Sequence, residues 1–349
     1  MTFQIRTGIN ISHWLSQVFG WSPIDTFFVK DDISFIRDCG FDHIRLPIDE
    51  ERLWDEKGKQ IHGAFEKMLW CIDESLAAGL KVIVDLHILR SHHFNNTNAE
   101  GAMTLWSDMD AQKTFLDLWS QLSAVLKTYP TDKVAYELMN EPVAPTHDEW
   151  NLLIAKAMKH VRSLEPNRVL FWGSNEWQFC ENMPYLKLPE NDKNIILSFH
   201  TYEPLMITHY RAGWLPIKDY TGPVSYPGTS LSEEDYEKYI DKKDEKLVNF
   251  IKRFNGYYDK EKLYNNMLPA INKSKELGLQ LYCGEFGCLA NIGRERRLLY
   301  YNDITSLFRE NNIAFTAWDY KGDFGIRGWD RSAFKNTTID KELIDILVK

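Results

Sequence analysis

Two glutamates in this sequence each follow a short apolar run, and their setting suggests acid–base or nucleophilic chemistry. One is Glu141, in Leu138-Met139-Asn140-Glu141-Pro142, and the other is Glu285, in Tyr282-Cys283-Gly284-Glu285-Phe286-Gly287. Hydrolysis of a bond between two sugars needs two carboxyl groups flanking the reacting carbon, one to protonate the leaving oxygen and one to attack or to activate water. Because the two glutamates are far apart in the chain, a fold must bring two strand ends together to pair them.

Eight short apolar segments are the candidate strands that would do this. They are rich in Val, Ile and Leu and mostly lack polar alternation, which is typical of parallel strands buried on both faces. Segments with helical periodicity lie between them, although the fifth, near 176–185, has the weakest pattern. The alternation predicts a (β/α)8 TIM barrel that forms one domain over residues 1–349. The candidate strands are Ile5–Ile11, His43–Leu46, Lys81–Asp85, Val134–Leu138, Arg168–Phe171, Asn194–Phe199, Gln280–Cys283 and Ala314–Trp318.

The connection between the sixth and seventh strands is longer than the others. Within it, Ser232–Lys260 is crowded with Glu, Asp and Lys, and a stripe that includes Leu247, Phe250 and Ile251 has helical spacing. We therefore expect a helical insertion at about residues 204–260, with its charges mainly on a solvated face. An insertion after a strand lies on the catalytic side of such a barrel, where it could wall a cleft.

Polar or aromatic residues recur where the predicted strands end. Chemistry in (β/α)8 barrels takes place at the carboxyl ends of the strands, so these side chains should converge on one site. Taken singly, Arg45 could be a structural ion-pair partner and His87 a buried structural histidine. His92 and His93 follow His87 closely, but without a matched carboxylate motif we predict no metal site. The candidate site residues are Arg45, His87, Asn140, Glu141, His200, Tyr202, Glu285 and Trp318.

At these positions the sequence resembles glycoside hydrolase family 5, the cellulase-like retaining hydrolases, over nearly its whole length. The shared strings are Gly8-Ile9-Asn10-Ile11, Ile44-Arg45-Leu46-Pro47, Asp85-Leu86-His87, Glu137-Leu138-Met139-Asn140-Glu141-Pro142, Ser198-Phe199-His200-Thr201-Tyr202-Glu203-Pro204, Gly284-Glu285-Phe286-Gly287 and Ala317-Trp318-Asp319-Tyr320-Lys321. The resemblance implies that Glu141 is the general acid/base and Glu285 the nucleophile, about 5–5.5 Å apart. It also implies that Arg45, His87, Asn140, His200, Tyr202 and Trp318 surround the reacting sugar, with no cofactor or metal.

The substrate is harder to assign within the family. The string Ile207–Trp214 resembles one that is common in the family's endoglucanases, which favours an endo-β-1,4-glucanase acting on β-glucan chains or oligosaccharides. The alternatives are a β-mannanase, a xyloglucanase, an exo-acting β-glucosidase or β-1,3-glucanase, and a non-catalytic barrel that only binds polysaccharide. Candidate sugar-stacking side chains are Trp14, Trp21, Phe94, Trp177 and Trp214.

Bulk properties narrow the possible partners. The net charge of −9 argues against a nucleic acid or an anionic membrane as partner and suits a neutral substrate. Five cysteines without CxxC spacing do not indicate a zinc site. The first strand begins almost at the amino terminus, so we expect an intracellular protein or a mature form without its signal peptide. The resemblance favours a secreted or cell-envelope location, and we expect a monomer.

Overall fold

The computed structural model describes residues 3–95, 103–189 and 192–349, and its centre is a closed barrel of eight parallel strands. Each strand pairs with its neighbours in chain order, and the last pairs with the first, for example through Gly8 and Thr316. All eight predicted strands overlap an observed one, so the predicted (β/α)8 barrel is confirmed. The barrel strands are β1 (Thr7–Asn10), β2 (His43–Asp49), β3 (Lys81–Ile88), β4 (Val134–Glu137), β5 (Leu170–Gly173), β6 (Ile195–His200), β7 (Leu281–Glu285) and β8 (Ala314–Ala317).

Helices surround the barrel and bury their apolar stripes against the outer faces of the strands. In the helix that follows β3, Phe115, Leu118, Trp119 and Leu122 recur at three- and four-residue spacing and are all buried. The α-helices are α1 (Lys30–Asp38), α2 (Glu50–Leu53), α3 (His62–Ala77), α4 (Met109–Leu126), α5 (His147–Leu164), α6 (Leu205–Thr208), α7 (Glu233–Tyr239), α8 (Glu245–Phe254), α9 (Lys260–Leu277), α10 (Arg294–Glu310) and α11 (Lys341–Val348).

The connection between β5 and β6 departs from the predicted pattern. Where the fifth helix was expected, the described residues form only a 3₁₀ helix, Cys180–Tyr185. Pro184 lies inside it and has no backbone N–H to donate to an α-helical hydrogen bond. Glu176, Trp177 and Gln178 before it all have φ between 56° and 58°, in the left-handed region that a right-handed helix cannot use. The prediction of an α-helix near 176–185 is therefore wrong.

The long stretch between β6 and α9 contains the short helices α6, α7 and α8. A 3₁₀ helix, Pro216–Asp219, and a two-stranded antiparallel sheet of Gly228–Thr229 and Tyr257–Tyr258 also lie there. Phe250 and Ile251 are buried, which accounts for the apolar stripe seen in the sequence. After β8 a second antiparallel pair, Arg327–Asp330 with Lys335–Ile339, precedes α11. No helix in the described part of the chain is long and apolar enough to cross a membrane.

The inside of the barrel changes character along its axis. A separate apolar cluster that includes Phe3, Ile5, Ile83, Phe171 and Tyr282 fills it near the amino ends of the strands. Toward the carboxyl ends, the interior side chains are charged. This filled base supports a polar layer at the opposite end, where the candidate residues lie.

Candidate functional site

Arg45 is the centre of this polar layer and is fully buried. Its Nε donates to Glu137 Oε2 at 2.7 Å, and its Nη1 donates to Glu285 Oε1 at 2.7 Å. Its Nη2 lies 2.8 Å from Asn140 Oδ1, which accepts from it, and 3.0 Å from Asp85 Oδ2. One guanidinium therefore compensates three buried carboxyl groups, a geometry that its planar set of donors can satisfy.

Three residues of this network were not among the predicted site residues. Asn10, at the end of β1, accepts from Arg45 Nη1 at 3.0 Å and donates to Gly284 O at 3.0 Å. Asp85 and Glu137 supply two of the carboxylates that Arg45 binds. All three belong to the strings that resembled the family, and Asn10 and Glu137 each end a strand. The rule applied to the other strand ends could have found them.

Glu285 and Glu141 approach each other across the barrel mouth. Tyr202 Oη donates to Glu285 Oε2 at 2.9 Å, and His200 Nδ1 lies 2.9 Å from Glu141 Oε1 and 3.9 Å from Glu285 Oε2. Glu141, Glu285 and His200 each offer one polar atom, and these atoms lie within 4.8 Å of one another. The two carboxyl groups are thus as near to each other as the spacing of about 5–5.5 Å that retaining glycosidases use requires.

The two glutamates differ in their electrostatic surroundings. Burial raises the pKa of Glu141 well above its usual value, and the negative charge of Glu285 raises it further. Burial also raises the pKa of Glu285, but Arg45 and the Tyr202 hydroxyl oppose this increase. Glu285 is therefore the easier of the two to ionise. Once it is charged, it favours the protonated form of Glu141.

Two histidines complete the polar wall, and both are neutral. Burial lowers the pKa of His200 well below its usual value and the pKa of His87 to about 3. His87 Nδ1 is bound to Asp85 Oδ2 at 2.7 Å, and its ring stacks on Trp318 with the ring planes 8° apart. Within the described residues, the buried atoms without a hydrogen-bond partner include His87 Nε2, His200 Nε2 and Asn140 Nδ2. Buried polar atoms of this kind call for a polar ligand.

The structure thus brings all eight candidate residues into one site. The five candidate sugar-stacking side chains, in contrast, differ in how accessible they are. Trp14 is fully buried and donates to Ile24 O, so it cannot offer a face to a sugar and its prediction as a platform is wrong. Trp177, half-buried, donates from Nε1 to Phe94 O at 2.9 Å. The remaining two are Trp21, which is half-buried, and Trp214, which is 37% exposed.

The carboxylates and imidazole could also be considered as metal ligands. Glu141, His200 and Glu285 have suitable atoms within reach of one position. However, the guanidinium of Arg45 already binds Glu285 at 2.7 Å, and its positive charge would repel a divalent cation. His92 uses its Nε2 to accept from Val143 N at 3.1 Å, which commits that atom to the backbone. The arrangement suits acid–base and nucleophilic chemistry better than metal binding.

Comparison with known proteins agrees with this chemistry. A family model described as Cellulase (glycosyl hydrolase family 5) matches residues 7–324. The chain belongs to this family. Endoglucanase C of Acetivibrio thermocellus is 31% identical to this chain, and the match covers 99% of the chain and 98% of the relative. Cellodextrinase A of Ruminococcus flavefaciens is 27% identical over 89% of the chain and 84% of the relative.

Solved structures show the same fold. Cel5A of Thermotoga maritima in complex with a mannotriose substrate has a TM-score of 0.75 and 23% sequence identity, covering 97% of this chain and 96% of that one. An endoglucanase structure has a TM-score of 0.76 at 23% identity and covers 99% of this chain. The chain therefore has the (β/α)8 fold of these structures, and its membership of the family makes it a glycoside hydrolase.

Proposed function

We propose that this glycoside hydrolase is a retaining endo-β-1,4-glucanase that cleaves β-glucan chains by double displacement. The observation that carries the proposal is the pairing of Glu141 and Glu285, whose nearest described oxygens lie within 4.8 Å of each other in unlike electrostatic surroundings. A carboxyl pair this close leaves too little room for a water molecule between sugar and base, which favours direct attack by one carboxylate.

In the first step Glu285 attacks the anomeric carbon, and Glu141 protonates the departing oxygen. Arg45 and Tyr202 each donate to one Glu285 oxygen and so favour the ionised form that attack requires. His200 Nδ1 lies 2.9 Å from Glu141 Oε1 and orients that carboxyl group through a hydrogen bond. The bond from carbon to the leaving oxygen breaks as the ester to Glu285 forms.

In the second step water replaces the departed sugar. Glu141, now ionised, removes a proton from the water as it attacks the anomeric carbon, and the ester to Glu285 breaks. Both steps invert the anomeric carbon, so the product retains the configuration of the substrate. Asn140 Nδ2 and His87 Nε2 supply donor or acceptor atoms for the hydroxyl groups of this sugar, with Trp318 beside it.

The choice of a β-1,4-glucan substrate and of endo action rests on similarity to relatives and on exposed aromatic side chains. The chain carries the string Ile207–Trp214. In addition, Acetivibrio thermocellus Endoglucanase C matches the chain over nearly the full length of both proteins. Trp177, Phe94 and Trp214 are at least partly accessible, so they remain candidate platforms for the sugars of an extended chain. The cellodextrinase-named relative favours one second candidate, an enzyme that prefers short oligosaccharides.

A substrate panel tests the proposed specificity. Reducing-end release is measured on carboxymethylcellulose, barley mixed-linkage glucan, xyloglucan, glucomannan, galactomannan and laminarin, with product lengths resolved by chromatography. We expect mixed oligomers from the β-1,4-linked glucans. A single small product would support the short-oligosaccharide alternative, and activity on galactomannan or laminarin alone would overturn the β-glucan assignment.

Two substitutions test the proposed roles. We expect Glu285→Ala to abolish turnover of all unactivated glycosides. Glu141→Ala should lower turnover of cello-oligosaccharides by about 10²–10⁴-fold, because general acid–base catalysis contributes that much. It should spare the first step with a dinitrophenyl cellobioside, whose leaving group needs little protonation. Equal losses on both substrates in both variants would contradict the assignment, as would an inverted first product by proton NMR.

A further inference from the structure

The backbone that carries Glu141 is strained, and three neighbouring residues are held from outside. Glu141 has φ = 39°, a left-handed conformation that costs free energy in a residue with a side chain. Such a conformation persists only where its surroundings impose it. Pro142, Val143 and Ala144 follow directly, and each makes a hydrogen bond to another loop of the barrel mouth.

Two buried side chains provide most of this restraint. His92, after β3, accepts at Nε2 from Val143 N at 3.1 Å. Asn175, after β5, accepts at Oδ1 from Ala144 N at 2.8 Å and donates from Nδ2 to Ala144 O at 3.0 Å. The Asn175 side chain therefore pairs with both backbone groups of one residue, as a neighbouring strand would. Trp177 N adds a bond to Pro142 O at 3.2 Å.

Neither side chain contacts the reacting groups themselves. His92 is fully buried, with its ring edge-on to Trp106 at 5.3 Å between ring centres. Burial lowers its pKa to about 3, which favours the neutral imidazole that can accept from Val143 N. Asn175 is 2% exposed, and its own backbone oxygen accepts from Asn182. Both residues are thus fixed in position before they reach the loop.

We propose that His92 and Asn175 are positioning residues for Glu141, holding the left-handed turn that keeps its carboxyl group against His200 and opposite Glu285. The inference rests on the proposed function, because it assumes that Glu141 is the acid/base. If the turn relaxes to negative φ, the carboxyl group leaves its place over the leaving oxygen. Glu285, held by Arg45 and Tyr202, is left in place.

Because only Glu141 would be displaced and Glu285 would stay in place, substitution of His92 or Asn175 should impair proton transfer alone. In Asn175→Leu and His92→Phe, kcat/KM for cellotetraose should fall by about 10- to 100-fold, since a misplacement of about 1 Å costs up to that much. For a dinitrophenyl cellobioside, kcat/KM should change less than about threefold, because this leaving group needs little acid assistance. Azide, a nucleophile that needs no base, should raise kcat of these variants and yield a β-glycosyl azide.

Asn151 provides a matched control at a distance from the site. Its Oδ1 accepts from Lys187 N and its Nδ2 donates to Tyr185 O, both at 2.9 Å, so it clamps another loop in the same way. Asn151→Leu should lower Tm. It should change neither the ratio of kcat/KM between cellotetraose and the dinitrophenyl cellobioside nor the effect of azide on kcat. His92→Gln, whose side-chain oxygen can still accept from Val143 N, should recover most of the cellotetraose activity that His92→Phe loses.

The outcomes separate the two proposals. Suppose that Glu141→Ala loses activity mainly on cellotetraose and is rescued by azide, while Asn175→Leu and His92→Phe lose activity equally on both substrates. The positioning role is then wrong, and the acid/base role stands. Unchanged kinetics in both variants would overturn it as well. If Glu141→Ala itself shows no such difference between the two substrates, the acid/base assignment fails first. Should Asn175→Leu not fold, the pair His92→Phe and His92→Gln decides alone.

Discussion

Removing the Tyr202 hydroxyl should make the proposed nucleophile harder to ionise. In the structure Tyr202 Oη donates to Glu285 Oε2 at 2.9 Å; Glu285 is buried and Tyr202 is partly buried. The hydroxyl lowers the pKa of Glu285 against the larger upward effect of burial. Burial and the neighbouring carboxylate raise the pKa of Tyr202 well above its usual value, so it remains a neutral donor. Tyr202→Phe deletes this donor and keeps the ring.

The size of the effect follows from the kind of bond that is lost. A hydrogen bond to a charged group is worth about 1.5–3 kcal/mol, and each 1.36 kcal/mol is tenfold in rate, which gives roughly 10- to 100-fold. The sign follows from the active protonation state, in which Glu285 is ionised. Without the donor, the pKa of Glu285 rises and the acidic limb of kcat/KM moves to higher pH. The loss should therefore be greatest below the pH optimum and smaller above it.

The assay is kcat/KM for cellotetraose against pH, in the wild-type protein and in two variants. Tyr226→Phe is the matched control, because Tyr226 Oη also donates to a carboxylate, Asp303 Oδ2, at 2.8 Å but away from the site. It should leave both limbs unchanged. An acidic limb in Tyr202→Phe that stays in place, or that moves to lower pH, would refute the reasoning about Glu285.

Further predictions concern the support of the site and the stability of the fold. An alanine Cβ at Gly287 would lie 2.5 Å from Trp318 O, so Gly287→Ala should displace Trp318 and lower kcat/KM, whereas Gly20→Ala, with no atom within 4 Å of its Cβ, should not. Burial lowers the pKa of Lys321 from its usual 10.5 to about 8. Between these two pH values the unfolded chain binds the extra proton, so the free energy of unfolding should rise with pH. Lys321→Met should abolish that rise in denaturant titrations and cost about 3–5 kcal/mol near pH 7, because Asp32 loses the nearer of its two cationic partners, at 2.8 Å.

Much of the site could be predicted because strand ends and apolar runs are local properties. Arg45 lies within one buried strand and Glu285 ends another, and a barrel of parallel strands brings such positions together. The two wrong predictions, a sugar platform at Trp14 and an α-helix near 176–185, also have local causes, but the spacing of apolar residues in the sequence does not reveal them. Trp14 has the composition of a sugar platform, yet its face is covered by packing. The segment after β5 keeps a weak apolar pattern, while its left-handed residues and Pro184 prevent an α-helix.

By itself, the sequence determined the order of strands and helices, the barrel that they form, and which side chains stand at its carboxyl end. Only the tertiary structure decided how these side chains share charge. Arg45 binds Glu137 and Glu285 from two neighbouring nitrogen atoms, while Glu141 faces the neutral His200. A pKa depends on burial and on charges a few ångströms away in space. Two glutamates that look alike in the chain therefore become unlike acids only when the barrel closes around them.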